Sequence, residues 1–276
     1  MKELVDWALA RRYAVIALAV IFAPFISFLS AAIIALQTAY RGPVVAIGDA
    51  LIAALAVTSL ALITGVSGPA TAAGVIAIGI GLGLGGLMRG LRTFNLTIQI
   101  VLLIAYTLVL MYTLFGSIDN RLFNETMMQV TAILRERGFA AAQIQELSTH
   151  PRRLIGFYSV SALIDVILVL VTAYWVLSIA RAEKQFGEQF RALRLGFVLG
   201  VPGAVIVLLA FVFDADVIHN LLAVAACGFL LQGLALVHGW AHKERWPSVY
   251  LVPIYLLIVP TVIVATVAGV LGIALV

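Results

Sequence analysis

The sequence predicts an all-α protein that crosses a membrane about nine times. Three observations carry this. Of 276 residues, 63% are hydrophobic and 11% charged, where a soluble domain carries about 25% charge. Several apolar runs exceed the ~20 residues that span ~30 Å of hydrocarbon as a helix. No stretch shows the apolar-out, polar-in alternation of a membrane barrel. Lipid offers backbone groups no partner, so each run must pair its own as helix. The bilayer is therefore the first expected partner.

The elements follow in order. Residues 1–12 read as an interfacial segment holding Trp7. No small-residue cleavage site follows, so the segment is an anchor and not a signal peptide. Residues 13–40 are apolar, bounded by Arg11 and Arg12 in front and Arg41 behind, with Pro24 near the middle. They read as two short segments turning at Pro24. The next run, 44–64, ends at a Gly-Val-Ser-Gly-Pro turn. Run 70–88 closes with Arg89 and Arg92, and run 95–115 follows. Residues 116–153 are polar and mixed; Phe123, Met127, Val130 and Leu134 recur at helical spacing. They predict an amphipathic helix outside the membrane. Runs 154–180, 195–213, 218–241 and 250–276 complete the chain, with a polar segment at 181–194.

Charge decides the orientation. A single crossing by residues 13–40 would divide the seventeen Lys and Arg almost evenly between the two sides. A double crossing puts Lys2, Arg11, Arg12, Arg41, Arg89, Arg92, Arg181, Lys184, Arg191, Arg194, Lys243 and Arg245 on one side. The other side keeps only the five within 116–153. Cytoplasmic loops carry the excess of Lys and Arg, so the double crossing is predicted, with the N-terminus inside. Each half has about 13 residues, ~20 Å at 1.5 Å rise. Either the first helix extends back past a snorkelling Arg11, or the pair is a re-entrant hairpin covered by protein.

The pI near 9.4 does not indicate nucleic acid, because the basic residues sit a few at a time at run ends. Cys227 is the only cysteine, so there is no disulfide framework. Gly81, Gly83 and Gly86 fit a dinucleotide fingerprint, but no strand precedes them and no acidic residue follows at the required distance. They read as a close helix–helix contact. His238 and His242 stand at i, i+4 without a third metal ligand, and no metal is expected. No catalytic constellation stands at helical spacing, so no enzyme and no cofactor are predicted.

Polar residues inside apolar runs are the candidate site. Asp165 lies near the middle of run 154–180. A charge there costs about 2.5–3.5 kcal/mol or more, so it should face the bundle interior. Tyr158 shares its face, and Gln99, Tyr106 and Thr113 form a second polar stripe on run 95–115. Together these five predict a ligand pocket; the alternative is interhelical hydrogen bonding without a ligand. Asp49 is expected to pair with Arg41 or Arg89.

Several motifs in order carry a resemblance. SAAIIALQTAYRGP, a glycine-rich span ending GLMRGLR, FGEQFRALRLG after a Tyr-Trp span, and FLLQGLALVH resemble the YybS-like family of uncharacterised bacterial inner-membrane proteins. One departure stands at residues 182–186, AEKQF, where the family often has a turn. The first six segments are also similar to the substrate-binding (S) subunits of energy-coupling-factor transporters. The resemblance implies an S-component-like six-segment core over 13–180 and a three-helix extension over 181–276. It implies an outward-opening pocket and a first helix that docks a membrane coupling partner by a small-residue face. Ala10, Ala14, Ala19 and Ala23 have that spacing.

The expected function is thus a small-molecule binding or transport-type subunit of a bacterial inner membrane. The alternative is a scaffold docking partners through 181–194, where Phe186, Phe190 and Leu193 face one way, or through 116–153.

Overall fold

The computed structural model describes residues 3, 7, 9–65, 68–116, 128, 135, 154–181, 185–253, 255 and 256. The described residues are helical and include no strand. The helices are α1 Arg12–Phe22, α2 Ser27–Arg41, α3 Pro43–Thr64, α4 Gly68–Leu91, α5 Phe94–Phe115, α6 Leu154–Ala180, α7 Gln185–Arg191, α8 Gly196–Ala210 and α9 Asp216–Lys243. Five of them, α3, α4, α5, α6 and α9, are long and apolar enough to cross a membrane. The protein is an all-α polytopic membrane protein. The outer amphipathic helix expected at 116–153 and most of the last run, 250–276, lie outside the described residues.

The early reversal is present. Helix α1 ends at Phe22, and the Phe25 and Ile26 amides both donate to the Phe22 carbonyl before α2 begins at Ser27. Proline has no N–H to continue the ladder. The Ser30 hydroxyl then donates to the Ala19 carbonyl at 2.9 Å, tying the helices together. At the other end Arg41 donates to the Leu9 carbonyl. The two ends of the hairpin therefore meet. Helix α1 does not run back past Arg11, which is extended at φ −111°, ψ 104°. Its 11 residues cover only ~16 Å. Of the two sequence expectations, the snorkelling extension fails and a short hairpin remains.

Gly42 then turns the chain directly into α3. It sits at φ +98°, and Pro43 opens the helix. That backbone region suits glycine, and proline suits a first helical position. Helix α8 is shorter than its apolar run, 15 residues with Pro202 inside.

The chain forms two compact units. One comprises Met1–Ile98 with Ile164–Leu193, the other Gln99–Leu163 with Arg194–Val276. This differs from a division after residue 180, because α5 and α6 each contribute one end to each unit.

In the first unit α2 is the centre. From Ser30 to Ala39 nine of its ten residues are buried. Helix α4 lies against it through Gly81 and Gly85. A Cβ on Gly81 would run into the Ala31 backbone, and one on Gly85 into Ala35 and Thr38. The glycine pattern is thus a packing face, as its surroundings in the sequence require. Ala14, Ala19 and Ala23 are buried as well, and Ala23 lies where a Cβ on Gly74 would sit. Only Ala10 is exposed. Three of the four small residues are thus used in packing inside this chain.

In the second unit α8 packs on α9. The Leu195 amide, at the start of α8, donates to Gln232 Oε1 on α9 at 3.1 Å.

Candidate functional site

Three of the five residues of the expected pocket, Gln99, Tyr106 and Thr113, contact backbone groups or neighbouring helices. Asp165 is exposed and has no hydrogen-bond or ion-pair partner among the described residues. It does not face the interior, although an ionisable residue in mid-span should. Both faces of α6 are apolar, so the sequence could not fix the rotation of the helix. Tyr158 is half-exposed. The Gln99 amide donates to the Arg194 carbonyl at 2.7 Å. Thr113 is buried; its hydroxyl donates to the Val109 carbonyl and accepts from Asn220 Nδ2 at 3.1 Å. The Tyr106 hydroxyl lies beside Gly203. The polar stripe on α5 is thus spent on backbone groups and helix packing.

Asn220 explains why. It is buried on α9, and its Oδ1 accepts from the Gly156 amide at 2.8 Å. That amide is in the first turn of α6, where no intrahelical carbonyl is available. Asn220 satisfies it from another helix.

A buried polar network appears where the sequence placed a different pair. Asp49 is fully buried on α3. Its partner is Arg12, not Arg41 or Arg89. Arg12 Nη2 lies 2.6 Å and Nε 3.0 Å from Asp49 Oδ1. Gln37 Nε2 donates to Asp49 Oδ2 at 2.9 Å. Gln37 Oε1 is buried with no hydrogen-bond partner among the described residues. The network fastens α1, α2 and α3 at the hairpin's basic end.

The same unit holds a polar cavity of about 350 Å³ lined by Ala39, Met88, Arg89, Arg92, Tyr174, Leu177 and Arg181. Ala39, Met88, Tyr174 and Leu177 are buried and make its floor, while the three arginines are exposed at its rim. Arg89 Nη1 donates to the Ala39 and Tyr40 carbonyls at 3.3 and 3.5 Å, the negative end of α2. Arg92 follows α4 in the left-handed region, at φ +58°. Arg181 follows the last turn of α6. Among the described residues no carboxylate lines the cavity, and the Arg92 and Arg181 guanidiniums have no hydrogen-bond or ion-pair partner there.

The floor is rigid. Thr97 Oγ1 donates to the Thr93 carbonyl at 2.9 Å, so it accepts the Tyr174 hydroxyl proton across 2.8 Å. Phe94 sits edge-on to Tyr174 with ring centres 5.3 Å apart. Helix α7 closes over Phe94: Phe186 and Phe190 lie 5.5 and 6.0 Å from it, and Gln189 Oε1 accepts the Phe94 amide at 2.9 Å. Leu193 is buried too. Among the described residues of 181–194, Leu193 is thus buried, while Phe186 and Phe190 pack on Phe94 and stay partly exposed.

A second, apolar cavity of about 190 Å³ lies between α1, α2 and α6, among Val15, Leu18, Leu29, Ile33, Leu36 and Val176. In the other unit His238 is occupied on both ring nitrogens, by the Leu234 carbonyl and the Tyr255 hydroxyl, each at 2.9 Å. Trp240 and Trp246 pack against each other with tilted rings, their centres 5.2 Å apart.

The arginines were legible in the sequence only as orientation signals. The available clue was Arg89 and Arg92 at i, i+3, on the side to which the double crossing also assigns Arg181. No protein-family model, curated protein or solved structure matches the chain.

Proposed function

We propose that this integral membrane protein is a small-molecule-binding subunit of transport type in a bacterial inner membrane, with its N-terminus inside. One observation carries the reading: a polar cavity of about 350 Å³ with a buried floor between helix ends. Ligand pockets start near ~300 Å³ and combine an apolar floor with a few placed polar groups. The motif order that resembles YybS-like proteins and transporter substrate-binding subunits supports the same class. The site differs from the one that resemblance implies, because it lies at the basic end and does not involve Asp165. A scaffold role through 181–194 is the alternative, and it has less apolar surface to use, since Leu193 is buried and Phe186 and Phe190 already pack partly against Phe94.

The test is a thermal-shift screen of the purified chain against charged and neutral metabolites. The reading predicts that at least one compound raises the midpoint. It also predicts that Leu177→Trp, which fills the cavity without changing charge, abolishes the response, whereas Asp165→Asn leaves it intact. A screen in which nothing shifts the midpoint, or a response that survives Leu177→Trp, contradicts it.

A further inference from the structure

We propose that the cavity rimmed by Arg89, Arg92 and Arg181 binds a phosphate group. This rests on the small-molecule reading of that cavity and adds the chemical class of its occupant.

The argument is one of donors and charge. A guanidinium has only N–H donors and keeps its charge at any accessible pH. Three of them meet at one cavity with no carboxylate among the lining residues. The Tyr174 hydroxyl proton is already committed to Thr97, so the polar lining reaches a ligand mainly through guanidinium donors. An occupant must therefore be rich in acceptors and negative. Cations and donor-rich neutral molecules find no match. A carboxylate offers two oxygens and one charge. A phosphate monoester offers three oxygens and a charge near −1.5 to −2 at neutral pH, which suits three forked donors better.

The rim is also arranged at some conformational expense. Arg92 holds a positive φ of 58° immediately after α4, a helix-end position where glycine is the usual and easier residue. Arg89 is steadied by two carbonyls at the end of α2. Its guanidinium lies about 3.5 Å from where a Cβ on Gly42 would stand, an ordinary contact distance, so it rests against the turn between α2 and α3. One arginine is thus fixed as an anchor, and the Arg92 and Arg181 guanidiniums have no hydrogen-bond or ion-pair partner among the described residues. A phosphate monoester can come from a soluble phosphate ester or from the headgroup of phosphatidic acid, since the cavity opens beside helix ends.

The experiment uses the full chain, first in detergent and then in nanodiscs. In detergent, inorganic phosphate should raise the thermal midpoint above that in chloride of equal ionic strength, and succinate should not. Arg181→Gln should weaken the phosphate response about tenfold, the loss of roughly one charge-assisted hydrogen bond. Arg92→Gly should weaken it similarly while leaving the unliganded midpoint no lower than that of the parent chain, because it relieves the backbone. A purely structural arginine would do the reverse. Nanodiscs of phosphatidylcholine, with and without phosphatidic acid, separate the sources. If phosphatidic acid stabilises the parent chain and removes the phosphate response, the headgroup is the occupant. If phosphate acts equally in both discs, a soluble ester is. Should a neutral compound stabilise the chain through this cavity while phosphate does nothing, the phosphate inference falls and the small-molecule reading stands. If no compound and no lipid has an effect, both fall. An unchanged phosphate response in Arg92→Gly and Arg181→Gln overturns the inference outright.

Discussion

Two buried side chains fasten this chain. Asp49 has no exposed surface, yet both its oxygens are engaged, one by Arg12 and one by Gln37. A buried carboxylate is tolerated only when paired and hydrogen-bonded. Removing it leaves the Gln37 amide buried with neither end satisfied, which costs about 1–3 kcal/mol. Asp49→Ala should lower the midpoint in thermal or detergent unfolding by that order, and Asp49→Asn by less; an Asp49→Ala chain as stable as its parent would count against the network. Asn220 is the counterpart in the second unit. It bridges the Gly156 amide and Thr113, so Asn220→Leu orphans an amide in the first turn of α6. A loss of about 1–3 kcal/mol is expected, measured in the same way. The partner of Asp49 could not be read from the sequence, where several arginines gather at one end of the hairpin. Choosing among them took the backbone break at Arg11, which sets Arg12 at the first turn of α1.

At the scale of elements, composition was a good guide and rotation was not. Apolar runs bounded by turns and arginines became helices close to the marked limits, since lipid leaves them no alternative. The Pro24 reversal was legible because proline and the paired flanking charges agreed. The facing of Asp165 was not, because a helix apolar on every side carries no periodicity to orient it. The Phe186–Phe190 face was legible as amphipathic, but its partner, Phe94, lies 92 and 96 residues away in sequence. The α2–α4 contact gives the clearest element-scale prediction. Gly81 and Gly85 meet the α2 backbone, whereas Gly83 and Gly86 face open space. Gly85→Ala should destabilise the chain by about 1–3 kcal/mol through overpacking. Gly86→Ala should be neutral or stabilising by about 0.5–1 kcal/mol, since glycine is the poorer helix former. Unfolding of the two variants side by side checks this; equal effects would contradict the close contact.

At the scale of the whole molecule, the arrangement follows from where the positive charges collect. Arg41 reaches Leu9, Arg89 reaches the end of α2, and Arg92 and Arg181 share its cavity. Residues far apart in sequence thus converge at one end of the first unit, as a reversal at Pro24 requires. A straight crossing would send Arg12 and Arg41 to opposite sides. Positive charge in short loops is retained in the cytoplasm, so this end should face inward. The direct measurement is labelling of single cysteines at positions 41, 92 and 181, in a Cys227→Ala background, with an impermeant maleimide on intact cells. The account predicts that all three are protected until the membrane is opened and then label together. Labelling of position 41 from outside, with 92 and 181 protected, would contradict it.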